Sequence, residues 1–327
     1  MDTMTAFELK RVTTVAEALA WLATPTARIV AGGTDLVPNL RRGIEAPAML
    51  VDVTGIAALD ALALDATPRT IGAAVTLARL ASHPGVVTDY PALAEAAAEV
   101  AAPAHRNAGT VGGNLCLDTR CVFYNQSEWW RASNGYCLKR GGDRCHVAPQ
   151  GARCHAAFCG DLAPALIVLG GEVEIASAAG TRRVPLAALY RDDGAAHLAL
   201  AQGEFVVAVQ LPPPPAGMRS GYRKARVRGS VDFPLAGVAI AATFEGARIA
   251  RLEVALTGTN SHPLALRGTE ALVGRDVDDA TLAALGKLVA KQVSPMRTTV
   301  TASNYRRQVA SVLAQRLLRD LAPSPAH

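Results

Sequence analysis

All six cysteines of this 327-residue chain, Cys116, Cys121, Cys137, Cys145, Cys154 and Cys159, fall between residues 116 and 159. Six of the 15 aromatic residues lie in the same stretch: Phe123, Tyr124, Trp129, Trp130, Tyr136 and Phe158. Thiols this dense must be bridged, bound to a metal or buried, so the segment restricts the folds open to the chain. The N-terminus MDTMTAFELKR carries Asp2 and Glu8 and has no apolar core behind basic residues, so it does not read as a secretory signal. No apolar run reaches the roughly 18 to 20 residues of a membrane span. The expectation is a cytoplasmic chain without a membrane partner, whose clustered cysteines are metal or redox groups rather than disulfides.

The cysteine spacing is C-x4-C-x15-C-x7-C-x8-C-x4-C. Structural zinc sites bring ligands in close C-x2–4-C pairs, and only the outer pairs here come near that. An iron–sulfur cluster on four thiolates is the other reading, since soft sulfur suits both. Spacing alone leaves the two open. Gly135, Gly141, Gly142 and Gly151 supply the turns a wrapped site needs. Cys116 and Cys159 stand at the base of the segment, so the expected metal ligands are the inner four: Cys121, Cys137, Cys145 and Cys154. His146 and His155 read as hydrogen-bonded neighbours, and Trp129 and Trp130 as packing that shields the site. Arg131, Lys139, Arg140, Arg144 and Arg153 make a candidate docking face for an acidic redox protein.

Two further places combine adjacent glycines with polar donors. The apolar strand ending Ile29-Val30-Ala31 runs into Gly32-Gly33-Thr34-Asp35-Leu36, and Gly109 precedes Thr110-Val111-Gly112-Gly113-Asn114. Without a Cβ in the way, backbone N–H groups of paired glycines can converge on an anion. Two such loops could hold a pyrophosphate between them. Neither matches the dinucleotide G-x-G-x-x-G or the P-loop pattern. Plain tight turns are the alternative.

The chain is long for one hydrophobic core, so two or three domains are expected. Thr14 with Glu17 predicts a capping box opening the helix TVAEALAWLA. Strands are expected at 27–31, 48–53, 71–75 and 204–211, and helices near Pro38, over 76–83, over 91–102 and from Asp161 to Leu169. A hairpin over 172–185 should turn at Ala179-Gly180. The run Pro212 to Pro215 excludes helix interior and central strand, and marks the boundary between domains at 1–213 and 217–327. Beyond it, three antiparallel strands over 221–228, 234–244 and 247–259 precede helices at 265–274, 281–293 and 304–322. The net charge of +5 is spread along the chain and carries no nucleic-acid motif.

AGGTDL at 31–36, TVGGN at 110–114, DLAPAL at 161–166 and Tyr222-x-Lys224 resemble the FAD-binding medium subunits of the xanthine dehydrogenase family of molybdenum hydroxylases. The resemblance implies an α+β fold. A two-subdomain FAD-binding domain of the vanillyl-alcohol-oxidase or PCMH type would be followed by a small CO-dehydrogenase-flavoprotein-like domain. FAD would contact residues 29–36 and 110–114, with Asp161 and Lys224 as further contacts. Residues 117–159 are an insert relative to the common family pattern. With NLCLDTRC and FYNQSEWWR, the insert resembles the reductive branch of the family that dehydroxylates 4-hydroxybenzoyl-CoA. That likeness implies a [4Fe-4S] cluster on the inner four cysteines, reduced ferredoxin as donor, and molybdenum cofactor and [2Fe-2S] clusters on separate large and small subunits in a dimer of heterotrimers. No residue of this chain would then be catalytic. An oxidative hydroxylase subunit whose insert holds zinc or is a relic is the alternative, and a zinc-stabilised scaffold is a third. Cys159, two residues before Asp161, departs from the family pattern.

Overall fold

The computed structural model describes residues 5–297 and 301–323. The first subdomain is a parallel three-stranded sheet. It is built from β1 (Glu8–Arg11), α1 (Val15–Leu22), β2 (Ala27–Val30), α2 (Leu36–Arg41) and β3 (Met49–Asp52), with spatial order β1-β3-β2. The capping box forms as the sequence predicts. The Thr14 hydroxyl accepts from the Glu17 N–H, and Glu17 Oε2 accepts from the Thr14 N–H.

The second subdomain carries β4 (Leu62–Ala63) and β5 (Arg69–Gly72). Seven helices follow: α3 (Leu77–Ser82), α4 (Pro84–Asp89), α5 (Pro91–Ala98), α6 (Pro103–Ala108), α7 (Val111–Leu115), α8 (Glu128–Ser133) and α9 (Leu162–Val168). It closes with β6 (Glu172–Ser177), β7 (Gly180–Pro185) and β8 (Phe205–Leu211), giving an antiparallel sheet ordered β4-β5-β8-β6-β7. One large core joins Leu93, Leu115, Phe158, Leu162, Val173 and Val209.

Three expectations change here. The helix from Pro91 stops at Ala98 rather than Ala102, and Ala101 takes a left-handed φ of 43°. That left-handed turn ends the helical path; just past the end, Glu99 O accepts from Lys224 and Arg226 and Ala101 O from the Val231 N–H. The second glycine stretch is not an open loop but two short helices, α6 and α7, with Gly112 and Gly113 inside α7. The hairpin turns at Ala178-Ala179, one residue early, because Ser177 pairs with Gly180.

After Pro212–Pro215 the last domain is an antiparallel sheet of β9 (Arg219–Ala225), β10 (Ala236–Glu245), β11 (Arg248–Thr257) and β12 (Leu264–Ala265), packed under α10 (Asp279–Gln292) and α11 (Ser303–Leu321). Its sheet has four strands, not the three expected. Leu264 and Ala265 pair with β11, and a single 3-10 turn at Thr269–Leu272 replaces the first of the expected helices. Val238, Ile240, Leu252, Leu256, Leu285 and Leu317 fill its core. No helix among the described residues is long and apolar enough to cross a membrane.

Candidate functional site

The two glycine segments meet. A Cβ built on Gly32 would lie 1.8 Å from the Ala108 carbonyl oxygen and 2.9 Å from the Gly109 nitrogen, so only glycine lets the two backbones approach. Gly33 sits at φ +66°, a conformation that L side chains rarely adopt. Across the contact, a Cβ at Gly109 would lie 3.5 Å from Thr34 Oγ1. The second segment is stitched to the strand edge after β5. Val111 N–H donates to Val75 O at 2.9 Å and Gly112 N–H to Ala73 O at 2.8 Å. Thr110 caps α7 by accepting from the Gly113 N–H at 3.2 Å. Asn114 Oδ1 accepts from the Leu162 N–H at 3.0 Å, which ties this segment to the start of α9.

Asp161 and Lys224, expected as further FAD contacts, are brought together by the fold. They pair with each other: Lys224 Nζ lies 3.0 Å from Asp161 Oδ2, and the Tyr222 hydroxyl donates to Asp161 Oδ1 at 2.6 Å. Lys224 also donates to Glu99 O at 3.1 Å. Burial raises the Asp161 pKa, while Lys224 and Tyr222 act to lower it. The group is a saturated polar knot between the second and last domains.

The insert is anchored at its base by a two-residue bridge. Arg120 N–H donates to Ala157 O at 2.7 Å and Ala157 N–H returns the bond at 2.8 Å. Inside it, Cys121 and Cys154 share one buried cluster with Ile44, Tyr124 and Met296, and Cys137 packs against it. Cys145 lies near enough to act electrostatically on both Cys121 and Cys154. Of the expected four, Cys121 and Cys154 thus share a buried cluster, Cys137 is only partly buried against it, and Cys145 lies outside that cluster. Burial pushes the Cys121 thiol up and that of Cys154 up to about 11, so a cation must displace their protons if they are to ligate. Among the described residues, no group of three or more His, Cys, Asp or Glu side chains is arranged to hold a metal ion. A single zinc ion would require four sulfurs within about 4 Å of one another.

The other two cysteines differ from each other. Cys116 packs on the large core of the second subdomain and is pushed up to about 12 by burial alone. Cys159 is a buried member of the same cluster as Cys121 and Cys154, and the charges that act on it are those of Arg306, Arg120, Asp161 and Lys224. Left-handed turns occur at Gly135 and Gly141, and a Cβ at Gly142 would strike the Cys137 nitrogen at 2.8 Å. His146 is hydrogen-bonded to Tyr136 O at 2.6 Å and stacks on Phe123, in keeping with a supporting role. Trp130 packs near Phe123, but Trp129 is 76% exposed and shields nothing.

The five basic residues expected to form a docking face are all engaged within the chain. Arg131 and Arg140 both donate to Gly43 O, Lys139 pairs with Asp118 at 2.6 Å, Arg153 with Asp192 at 2.9 Å and Arg144 with Asp143 at 3.4 Å. Arg131, Arg140 and Arg153 fasten the insert to the α2–β3 connection and to the connection before β8, while the pairs of Lys139 and Arg144 lie within the insert. The residue that sequence reasoning missed is Arg120, whose guanidinium pairs with Asp35 of the first glycine loop. Its one signal in the sequence is a charge placed directly before Cys121 at the insert's base.

Residues 5–214 match the family model described as "FAD binding domain in molybdopterin dehydrogenase", and residues 220–321 match "CO dehydrogenase flavoprotein C-terminal domain". The chain belongs to the FAD-binding subunits of the molybdenum hydroxylases. Among this family it is similar to the aldehyde oxidoreductase FAD-binding subunit PaoB of Escherichia coli, at 34% identity over 95% of this chain and 98% of that one. It is also similar to the carbon monoxide dehydrogenase medium chain of Afipia carboxidovorans, at 27% identity over 95% of each. The reconstituted CO dehydrogenase from Oligotropha carboxidovorans shares its fold, with a TM-score of 0.80 and 24% identity over 98% of both chains. Membership in this flavoprotein family gives the contact between the glycine segments its meaning as part of an FAD-binding domain.

Proposed function

We propose that this chain is the electron-transfer subunit of a molybdenum hydroxylase complex, holding FAD at residues 29–36 and 110–114 and a [4Fe-4S] cluster on Cys121, Cys137, Cys145 and Cys154. The observation that carries the reading is the Gly32–Ala108 contact, in which two donor-rich backbones close on each other where no Cβ fits. The donors there suit a diphosphate: the N–H groups of Gly32 and Gly33, the Thr34 hydroxyl and the Asn114 side-chain amide. Asp161 and Lys224 hold the second and last domains together beside them. The four inner thiols, their apolar cover and the glycine turns suit a soft-metal cluster better than an oxygen-liganded ion. Bound there, a flavin exchanges electrons singly or in pairs and a cluster passes them singly, with potentials set by burial and hydrogen bonding.

Substrate chemistry belongs to partner subunits, a molybdenum-cofactor large chain and a [2Fe-2S] small chain, in a dimer of heterotrimers. The similarity to PaoB favours an aldehyde as the substrate oxidised there. The C-x15-C-x7-C-x8-C spacing favours a second reading, the reductive dehydroxylation of 4-hydroxybenzoyl-CoA with ferredoxin as donor. The purified complex separates them. Viologen- or ferredoxin-driven dehydroxylation without aldehyde oxidation establishes the second, and aldehyde oxidation alone establishes the first. About four irons and four sulfides per chain are expected beside one FAD, as four thiolates holding one cluster require. Stoichiometric zinc without acid-labile sulfide sinks the cluster assignment.

A further inference from the structure

We propose that Arg120 is a positioning residue that makes flavin retention depend on the cysteine insert, by holding Asp35 of the first glycine loop from the insert's base. The proposal rests on the FAD reading above.

Arg120 is 11% exposed in its side chain and touches four separate segments. Its guanidinium pairs with Asp35, and its Nη1 lies 3.4 Å from Asn39 Oδ1 on α2. The guanidinium also sits 4.6 Å from the centre of the Phe233 ring, which reaches over from the last domain. Its backbone forms the bridge to Ala157 that closes the insert. Cys121 follows it directly. Its Nε is buried and makes no hydrogen bond, so the guanidinium is held by charge and stacking rather than by a saturated set of donors.

The consequence follows from Asp35's place in the chain. Asp35 is the residue before α2, and it does not cap that helix with its own side chain. An Asp at this position commonly accepts from the helix's first N–H groups. Here its carboxylate turns to Arg120 instead. The loop carrying Gly32 and Gly33 is thereby fixed from outside its own subdomain, by a residue whose position is set by the insert. A part-buried ion pair between two segments couples them, because removing either charge leaves the other unpaired.

FAD titration of the deflavinated full-length chain by flavin fluorescence tests this. Arg120→Ala and Asp35→Asn should each weaken FAD binding by about tenfold, and the double variant should be no weaker than either single, as expected for two halves of one interaction. Arg120→Lys should restore part of the loss. Arg140→Ala removes a different tie between the insert and the same subdomain, its bonds to Gly43 O and Ile44 O, and should leave the affinity unchanged. Additive losses in the double variant, unchanged affinity in both singles, or an equal loss in Arg140→Ala each overturn the proposal. If the unaltered chain binds no FAD, the flavin reading itself fails, and that result is distinct from all three.

Discussion

Asp161 and Lys224 meet at 3.0 Å with side chains 4% and 1% exposed, one at the start of α9 and the other on β9 of the following domain. A buried pair of this kind is weak evidence of net stability, because desolvation offsets much of the attraction. Breaking it is another matter. Lys224→Met leaves the Asp161 carboxylate buried with only Tyr222 to satisfy it, and should cost about 3–5 kcal/mol in denaturant unfolding. Adding Asp161→Asn to Lys224→Met should recover part of that loss. If the double variant is as unstable as the sum of the singles, the two residues do not act as a pair.

The glycine segments offer a contrast between two single methyl groups. Gly32→Ala places a Cβ 1.8 Å from the Ala108 carbonyl, so one backbone must move and flavin content should fall to background. Gly113→Ala meets only Thr110 Oγ1 at 3.1 Å, so the fold should survive. If Gly113→Ala shows native circular dichroism but reduced FAD, then the space in front of Gly113 is ligand space. Normal flavin content in Gly32→Ala would remove the loop contact from the binding site.

Cys137 is the half-buried member of the inner four, so Cys137→Ser disturbs the core least. It should abolish the visible iron–sulfur absorbance while leaving FAD bound. Cys116→Ser and Cys159→Ser should leave both chromophores in place, because those thiols face the second-subdomain core and the Arg120–Arg306 charges respectively. Loss of iron in Cys159→Ser would move the ligand set to include Cys159, which is a buried member of the same cluster.

Features encoded within a few residues were readable in advance, and features that join distant segments were not. The Thr14–Glu17 capping box depends on neighbours in sequence. The split of the second glycine stretch into α6 and α7 depends on Val75 and Ala73 accepting its N–H groups. The carbonyl just past the end of α5, Glu99 O, is held by Lys224 and Arg226, more than 120 residues away. The site shows the same division. Gly32, Gly33, Thr110 and the inner cysteines announce themselves by type and spacing. Arg120 looks like any charged loop residue until Asp35 is folded beside it. Arg131, Arg140 and Arg153 read as a surface because their partners, Gly43 and Asp192, lie in other parts of the chain.

His197 gives the chain an acid-sensitive joint beneath the insert. It is 7% exposed, its Nε2 is hydrogen-bonded to Leu117 O at 3.0 Å, and its ring lies 6.0 Å from that of Phe158. Burial lowers its pKa from 6.5 to about 4, more than the nearby Asp118 carboxylate raises it. The unfolded chain takes up the proton near pH 6.5, whereas the folded chain refuses it until about pH 4. A depressed folded pKa of this kind contributes stability that is fully present above pH 6.5 and is lost as pH falls through that window. By linkage the total is about 3 kcal/mol. His197→Gln keeps a side-chain N–H for Leu117 O but cannot titrate. Denaturant unfolding followed between pH 7 and pH 4 should therefore show a shallower acid loss in this variant than in the native chain, by a large fraction of that amount. Parallel curves for the two proteins would assign the acid loss to other groups.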